Sequence, residues 1–154
     1  MGMSTIRVEV SIAASLDQVW LAWTSSDLIT SWFAPEANVE ASVGGPFELF
    51  FDPANHDHQS TKGCIFTLVE PLRRLGFTWR GPDQFKGVMN DPTHLTSVTV
   101  SFQDKNGATR IIVEHGGWVK GDDWEEARTW HHGAWEGVLG RLKSTLESGG
   151  NSAS

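Results

Sequence analysis

Arg128 and His131 stand three residues apart in a segment whose other spaced positions are Trp124, Trp135, Val138 and Leu142. On a helix, positions three apart share a face, so this guanidinium and imidazole converge on one point. Together they offer a polar anchor for a ligand's carboxylate, phenolate or carbonyl. His131 alone has the titration range of a general acid or base. The structural alternative is a pair satisfied by an acidic partner such as Glu70 or Asp83, because burying either group unpartnered is costly. Arg128 has a further option, its stem along the domain edge and its head in water. The sequence leaves these alternatives open.

Three other places carry reactive side chains. His56 and His58 lie with Asp52 and Asp57 around the polar stretch 53–61, PANHDHQST. Two imidazoles and a carboxylate are zinc donors by type, but the composition is that of a solvated loop, and no metal is expected. His115 continues the alternation of Ile111 and Val113, which turns it toward the interior with them. Cys64 is the only cysteine and sits in the apolar run Gly63–Val69, where it reads as a small buried hydrophobe. There is no nucleophile elbow, phosphate loop, zincin motif or Cys-His pair. No catalytic residue is therefore assigned and no cofactor is expected.

The elements that must position these groups follow from periodicity. Ile6, Val8, Val10 and Ile12 alternate with polar residues, which predicts a strand over 5–12. Ser15 and Gln18 form an S-x-x-Q capping box ahead of Leu16, Val19, Trp20 and Trp23 at helical spacing, so a helix runs to about Thr24. Asp27 is expected to cap a second short helix that Pro35 ends. Strands are expected at 37–42, 46–52, 62–70, 73–80, around Val98–Phe102, and at 108–115. Asn106-Gly107 marks a tight hairpin. Residues 81–93 read as a long loop. A terminal helix is expected from about 122 to 147, with acidic residues in its first turn and Gly149-Gly150 at its end. At 1.5 Å per residue it would be roughly 40 Å long. Its apolar stripe is expected to run through Trp124, Arg128, His131, Trp135, Val138 and Leu142.

The order strand, two helices, six strands, long helix describes an α+β domain with a curved antiparallel sheet wrapped on the last helix. Residues 1–148 are expected to form it, with 149–154 a disordered tail. The sequence has 154 residues, eight Trp, eight Phe and no Tyr, with 39% hydrophobic residues. Large rings can line a wide space with few residues. A net charge of −7 argues against nucleic acid and anionic membrane surfaces as partners. The N-terminus lacks a charged stretch followed by an apolar one, so no signal peptide is expected. The lone cysteine fits the reducing cytoplasm. Gly133 and Gly140 fall opposite the helix stripe, where close packing of a second chain would suit them, and a homodimer is one expectation.

Several segments carry a family resemblance. Ser15-Leu-Asp-Gln-Val-Trp20-Leu-Ala-Trp23-Thr24 continues to Leu28 and to Trp32-Phe33-Ala34-Pro35. With the Gly44-Gly45-Pro46-Phe47 turn, Gly63 and the run His132–Leu139, it resembles START-like (SRPBCC) proteins, and among them the branch named after the activator of the Hsp90 ATPase. The resemblance implies a helix-grip fold of the START and Bet v 1 kind: seven antiparallel strands gripping the C-terminal helix around a cavity. Such proteins bind lipids, polyketides, hormones or other apolar molecules. Some have cyclase or hydrolytic activity, and the namesake stimulates a chaperone ATPase. The expected walls of a ligand cavity are Trp32, Phe33, Phe47, Phe51, Phe66, Phe77, Trp79, Trp118 and Trp135, with Arg128 and His131 as its polar anchor.

Overall fold

The alternation at the start of the chain forms β1 (Ile6–Ile12). In the computed structural model, which describes residues 5–152 and side chains to residue 148, β1 pairs antiparallel with β7 (Ala108–Gly116), placing Val8 opposite Val113. Helix α1 (Leu16–Thr24) starts on the expected capping box, with Ser15 Oγ accepting from Gln18 N and Gln18 Oε1 accepting from Ser15 N. Helix α2 (Ser26–Ile29) is capped by Ser25, not Asp27: the Ser25 hydroxyl accepts from Leu28 N at 3.3 Å. Ser25 has the extended backbone a cap requires, whereas Asp27 already lies inside the first turn.

The remaining strands are β2 (Glu36–Val39), β3 (Phe47–Phe50), β4 (Phe66–Glu70), β5 (Arg74–Trp79) and β6 (Thr96–Lys105). Five of them form one sheet in the order β1-β7-β6-β5-β4, and β2 pairs with β3. A bridge between Pro46 and Ile65 joins the two ladders, with Phe47 N donating to Cys64 O at 2.8 Å and Phe66 N to Gly45 O at 2.9 Å. The seven strands thus make one curved antiparallel wall. Asn106 and Gly107 connect β6 to β7 with φ of 56° and 92°, the two positive angles a two-residue hairpin needs.

The segment expected as a bare loop over 81–93 is more ordered. It holds a 3-10 turn (Asp83–Phe85) and α3 (Lys86–Met89). Phe85 and Met89, four apart, are both buried, and that burial pulls the segment into helical turns. Asn90 pins its start, accepting from Gly81 N at 2.7 Å and donating to Gly81 O at 3.1 Å.

Helix α4 (Asp122–Ser152) closes the concave face. It runs through Gly149-Gly150 to Ser152, because glycine permits a left-handed stop without compelling one; residues 153–154 of the expected tail lie outside the described residues. Its buried positions are Ala127, His131, Trp135, Leu139 and Leu142. The stripe is therefore turned about one residue from the expected one, and Arg128 and Val138 lie at its edge, half-buried. Three polar contacts fix the far end of α4: Glu147 Oε2 accepts from Ala13 N at 2.9 Å, Lys143 Nζ donates to Ser11 O at 2.7 Å, and Arg141 Nε donates to Trp32 O at 3.1 Å.

Between sheet and helix, one region is filled by interlocked rings. Phe47 stacks on Phe77 at 3.8 Å between centroids, Phe66 meets Phe47 edge-on at 5.3 Å, and Trp23 meets Trp32 at 4.8 Å. On the outer side of α4, a Cβ added at Gly133 or Gly140 would meet nothing within 4 Å. Each change to Ala is expected to stabilise the chain by about 1 kcal/mol through helix propensity. Urea denaturation at two protein concentrations checks this. A loss of stability that grows with concentration would mean a second chain packs on those glycines.

Candidate functional site

The end of β5, the buried face of α4 and the 3-10 turn leave a half-open cleft of about 500 Å³. Phe33, Trp79, His131 and Trp135 form its inner wall, and Phe51 stands at its rim. These five are the expected residues that the fold brings together. Phe33 stacks on Trp79 at 6.0 Å and meets Trp135 edge-on at 5.6 Å. Phe51 lies just past the end of β3 and is 40% exposed, because the strand stops at Phe50 and turns it outward.

The other expected residues are elsewhere. Phe47, Phe66 and Phe77 are fully buried in the ring-packed core. Trp32 lies behind Phe33, donating its indole N–H to Ala22 O at 3.0 Å. Trp118 is buried beside His115 and donates to the His115 carbonyl at 2.8 Å. Arg128 does not line the cleft, since the turn of the stripe carries it to the edge of the helix.

Glu70 and Asp83 have other partners, and His131 is satisfied by Trp79 and Ala127. Glu70 binds Arg74, and Asp83 binds His58 and accepts from Gln59 N. His56 pairs with Glu36 at 2.9 Å and stacks on Phe50, so the two loop imidazoles face different carboxylates. No group of three potential metal ligands occurs among the described residues. Cys64 is buried, and burial pushes its thiol up to about 11, away from nucleophile chemistry at neutral pH.

His131 lines the cleft, and fully buried His115 lies next to it, their rings 5.5 Å apart. Ala127 O can only accept, so His131 Nδ1 donates to it at 2.8 Å, and His131 Nε2 accepts from the Trp79 indole at 3.2 Å. His115 holds the opposite tautomer. Its Nδ1 accepts from the Trp135 indole at 3.0 Å, and its Nε2–H donates to Thr96 Oγ1 at 2.8 Å. The Thr96 hydroxyl in turn donates to Trp79 O at 3.4 Å. Both imidazoles are thus neutral with every ring nitrogen bonded. Burial drives His131 down to about 4, against a smaller opposing pull from the Ala127 carbonyl. Burial, then the neighbouring His131, holds His115 well below its ordinary value.

The rim residues were not singled out from the sequence. Gln59, Ser60 and Arg80 come from irregular segments, Gln84 from the 3-10 turn, and Trp130 and Arg141 from positions of α4 off the predicted stripe. One signal was present: Arg141 breaks the apolar neighbourhood of Val138, Leu139 and Leu142.

A curved seven-stranded antiparallel sheet gripping one long helix, with a cleft between them, defines a helix-grip protein of the START and Bet v 1 kind. Residues 13–147 match the family described as activator of Hsp90 ATPase homolog 1-like protein, and the chain belongs to that family. It is similar to the human activator of 90 kDa heat shock protein ATPase homolog 1, 22% identical over 133 residues, which are 86% of this chain and 35% of that protein. The chain thus spans about a third of the curated relative's length. Among solved structures, a Mesorhizobium loti protein superposes with a TM-score of 0.74 at 23% identity, covering 94% of this chain and 97% of that one. The Aha1 dimer from Colwellia psychrerythraea gives 0.72 at 19% identity, again over 94% and 97% of the two chains.

Proposed function

We propose that this chain binds a small, mainly apolar molecule in the cleft beside α4. The observation that carries the reading is the inner wall, where Phe33, Trp79 and Trp135 present ring surface around about 500 Å³ of space. That volume lies within the usual range for small-molecule sites, roughly 300–1,000 Å³. Acid–base chemistry at His131 is less favoured, because both of its ring nitrogens are already engaged. With one buried cysteine and no described helix long and apolar enough to cross a membrane, we take the cytoplasm as its place of action. A homodimer remains part of this reading, by analogy with the Colwellia protein.

Trp79 and Trp135 report on the cleft. Titration with an apolar probe such as 1-naphthol is expected to change tryptophan fluorescence saturably, and Trp135→Phe is expected to reduce that change. A linear, unsaturable response in both proteins would end the reading. A second reading, stimulation of a chaperone ATPase, is supported by family membership. Adding the chain to Hsp90 and measuring ATP turnover separates the two.

A further inference from the structure

The charge around the cleft runs against the charge of the chain. The sequence carries 19 acidic and 12 basic residues, yet no Asp or Glu lines the cleft, whereas Arg80 and Arg141 do. Neither arginine is in an ion pair with a carboxylate among the described residues. Each is steadied through one guanidinium nitrogen by a backbone carbonyl: Arg80 Nη1 donates to Lys62 O at 2.8 Å, and Arg141 Nε donates to Trp32 O at 3.1 Å. Asp57, which feels Arg80, feels Lys62 more strongly and is held by it at 2.7 Å. The inner wall offers a ligand no matching polarity, since the Trp79 and Trp135 indoles and all four imidazole nitrogens bond to one another or to the chain. Polar recognition is thus confined to the rim, and the charge there is positive.

Resting on the reading above, we infer that the ligand is an amphipathic anion whose apolar body lies against Phe33, Trp79 and Trp135 and whose carboxylate is held by Arg141 and Arg80. A planar guanidinium matches a carboxylate with paired N–H donors. Beside an apolar wall the attraction is also stronger than in open water.

The test compares sodium decanoate with decanol by isothermal titration calorimetry at pH 7.5 and low salt, below the aggregation limit of either. The two share a chain and differ in the charge of the head. Decanoate is expected to bind the native chain about tenfold or more tightly than decanol, with the gap narrowing in high salt. Arg80→Gln/Arg141→Gln is expected to bring decanoate down to the decanol level and leave decanol unchanged. Circular dichroism checks that the variant is folded; should the double change unfold it, Arg141→Gln alone is expected to close part of the gap. Equal affinities in the native chain, or a preference that survives in the folded variant, would overturn the anion assignment and leave apolar binding standing. If neither compound binds, the cleft reading fails with it.

Discussion

Lowering the pH from 7 to 4 is expected to remove about 3 kcal/mol of folding stability through His131 alone. Its folded pKa of about 4 lies below the ordinary 6.5, and a gap of that width corresponds to about 3 kcal/mol. Between those two values the unfolded chain binds the extra proton and the folded chain refuses it. Stability is therefore complete above pH 6.5 and falls as the pH drops toward 4. His115, held low by the same burial, acts in the same direction. The first cause is burial, and the hydrogen bonds act with it: a proton on His131 Nε2 would face the Trp79 N–H, and one on His115 Nδ1 would face the Trp135 N–H. Glu9, Glu70 and Glu147 are held below 4.5 by their partners, so their losses begin near 4.5 and continue below it, after most of the His131 loss. Urea denaturation at stepped pH reads the effect. His131→Gln, which cannot titrate, should show a shallower dependence between pH 6.5 and 4.5. Matching slopes in the two proteins would refute the assignment.

How much of this was legible in the sequence depends on how local each cause is. The capping box Ser15–Gln18 and the Asn106-Gly107 hairpin are decided within four residues, and both stand in the structure. The faces of β5 and β7 were legible because strand period is two, which aligns Leu75, Phe77 and Trp79 in β5 and Ile111, Val113 and His115 in β7, and the register through Val98 and Val100 puts both sets on the same face of the sheet. The long helix was legible, but its phase was not. A stripe drawn through Trp124 and Val138 includes Arg128, whereas the packed line runs Ala127, His131, Trp135, Leu139. Ala127 is fully buried, yet alanine gives little hydrophobic signal in the sequence. Of the rim, only the break that Arg141 makes in an apolar neighbourhood was legible. Gln59 and Ser60, Arg80 and Gln84, and Arg141 come from three stretches of chain. What joins them is tertiary: the Asn90–Gly81 clamp and the Gln59–Asp83 pair, whose backbone and side chains exchange two hydrogen bonds.

Trp79→Ala is expected to cost about 3–5 kcal/mol, the range for deleting a large buried ring. Trp79 is 6% exposed and touches Phe33, Phe77, Trp135 and His131, so its loss opens the cleft into the core. Trp79→Phe separates packing from hydrogen bonding. It keeps an aromatic ring but leaves His131 Nε2 without its donor, a buried orphan acceptor worth about 1–3 kcal/mol. The same change removes the N–H that opposes protonation of Nε2, so His131 is expected to titrate at a higher pH than about 4. Urea denaturation measures the first effect, and nitrogen-15 NMR of the imidazole measures the second. A Phe variant as stable as the native chain, with the His131 titration unmoved, would mean that the indole–imidazole bond has no part in holding the wall of the cleft. The wall would then rest on ring packing alone, and the acid sensitivity argued above would have to arise from burial without the opposing donors.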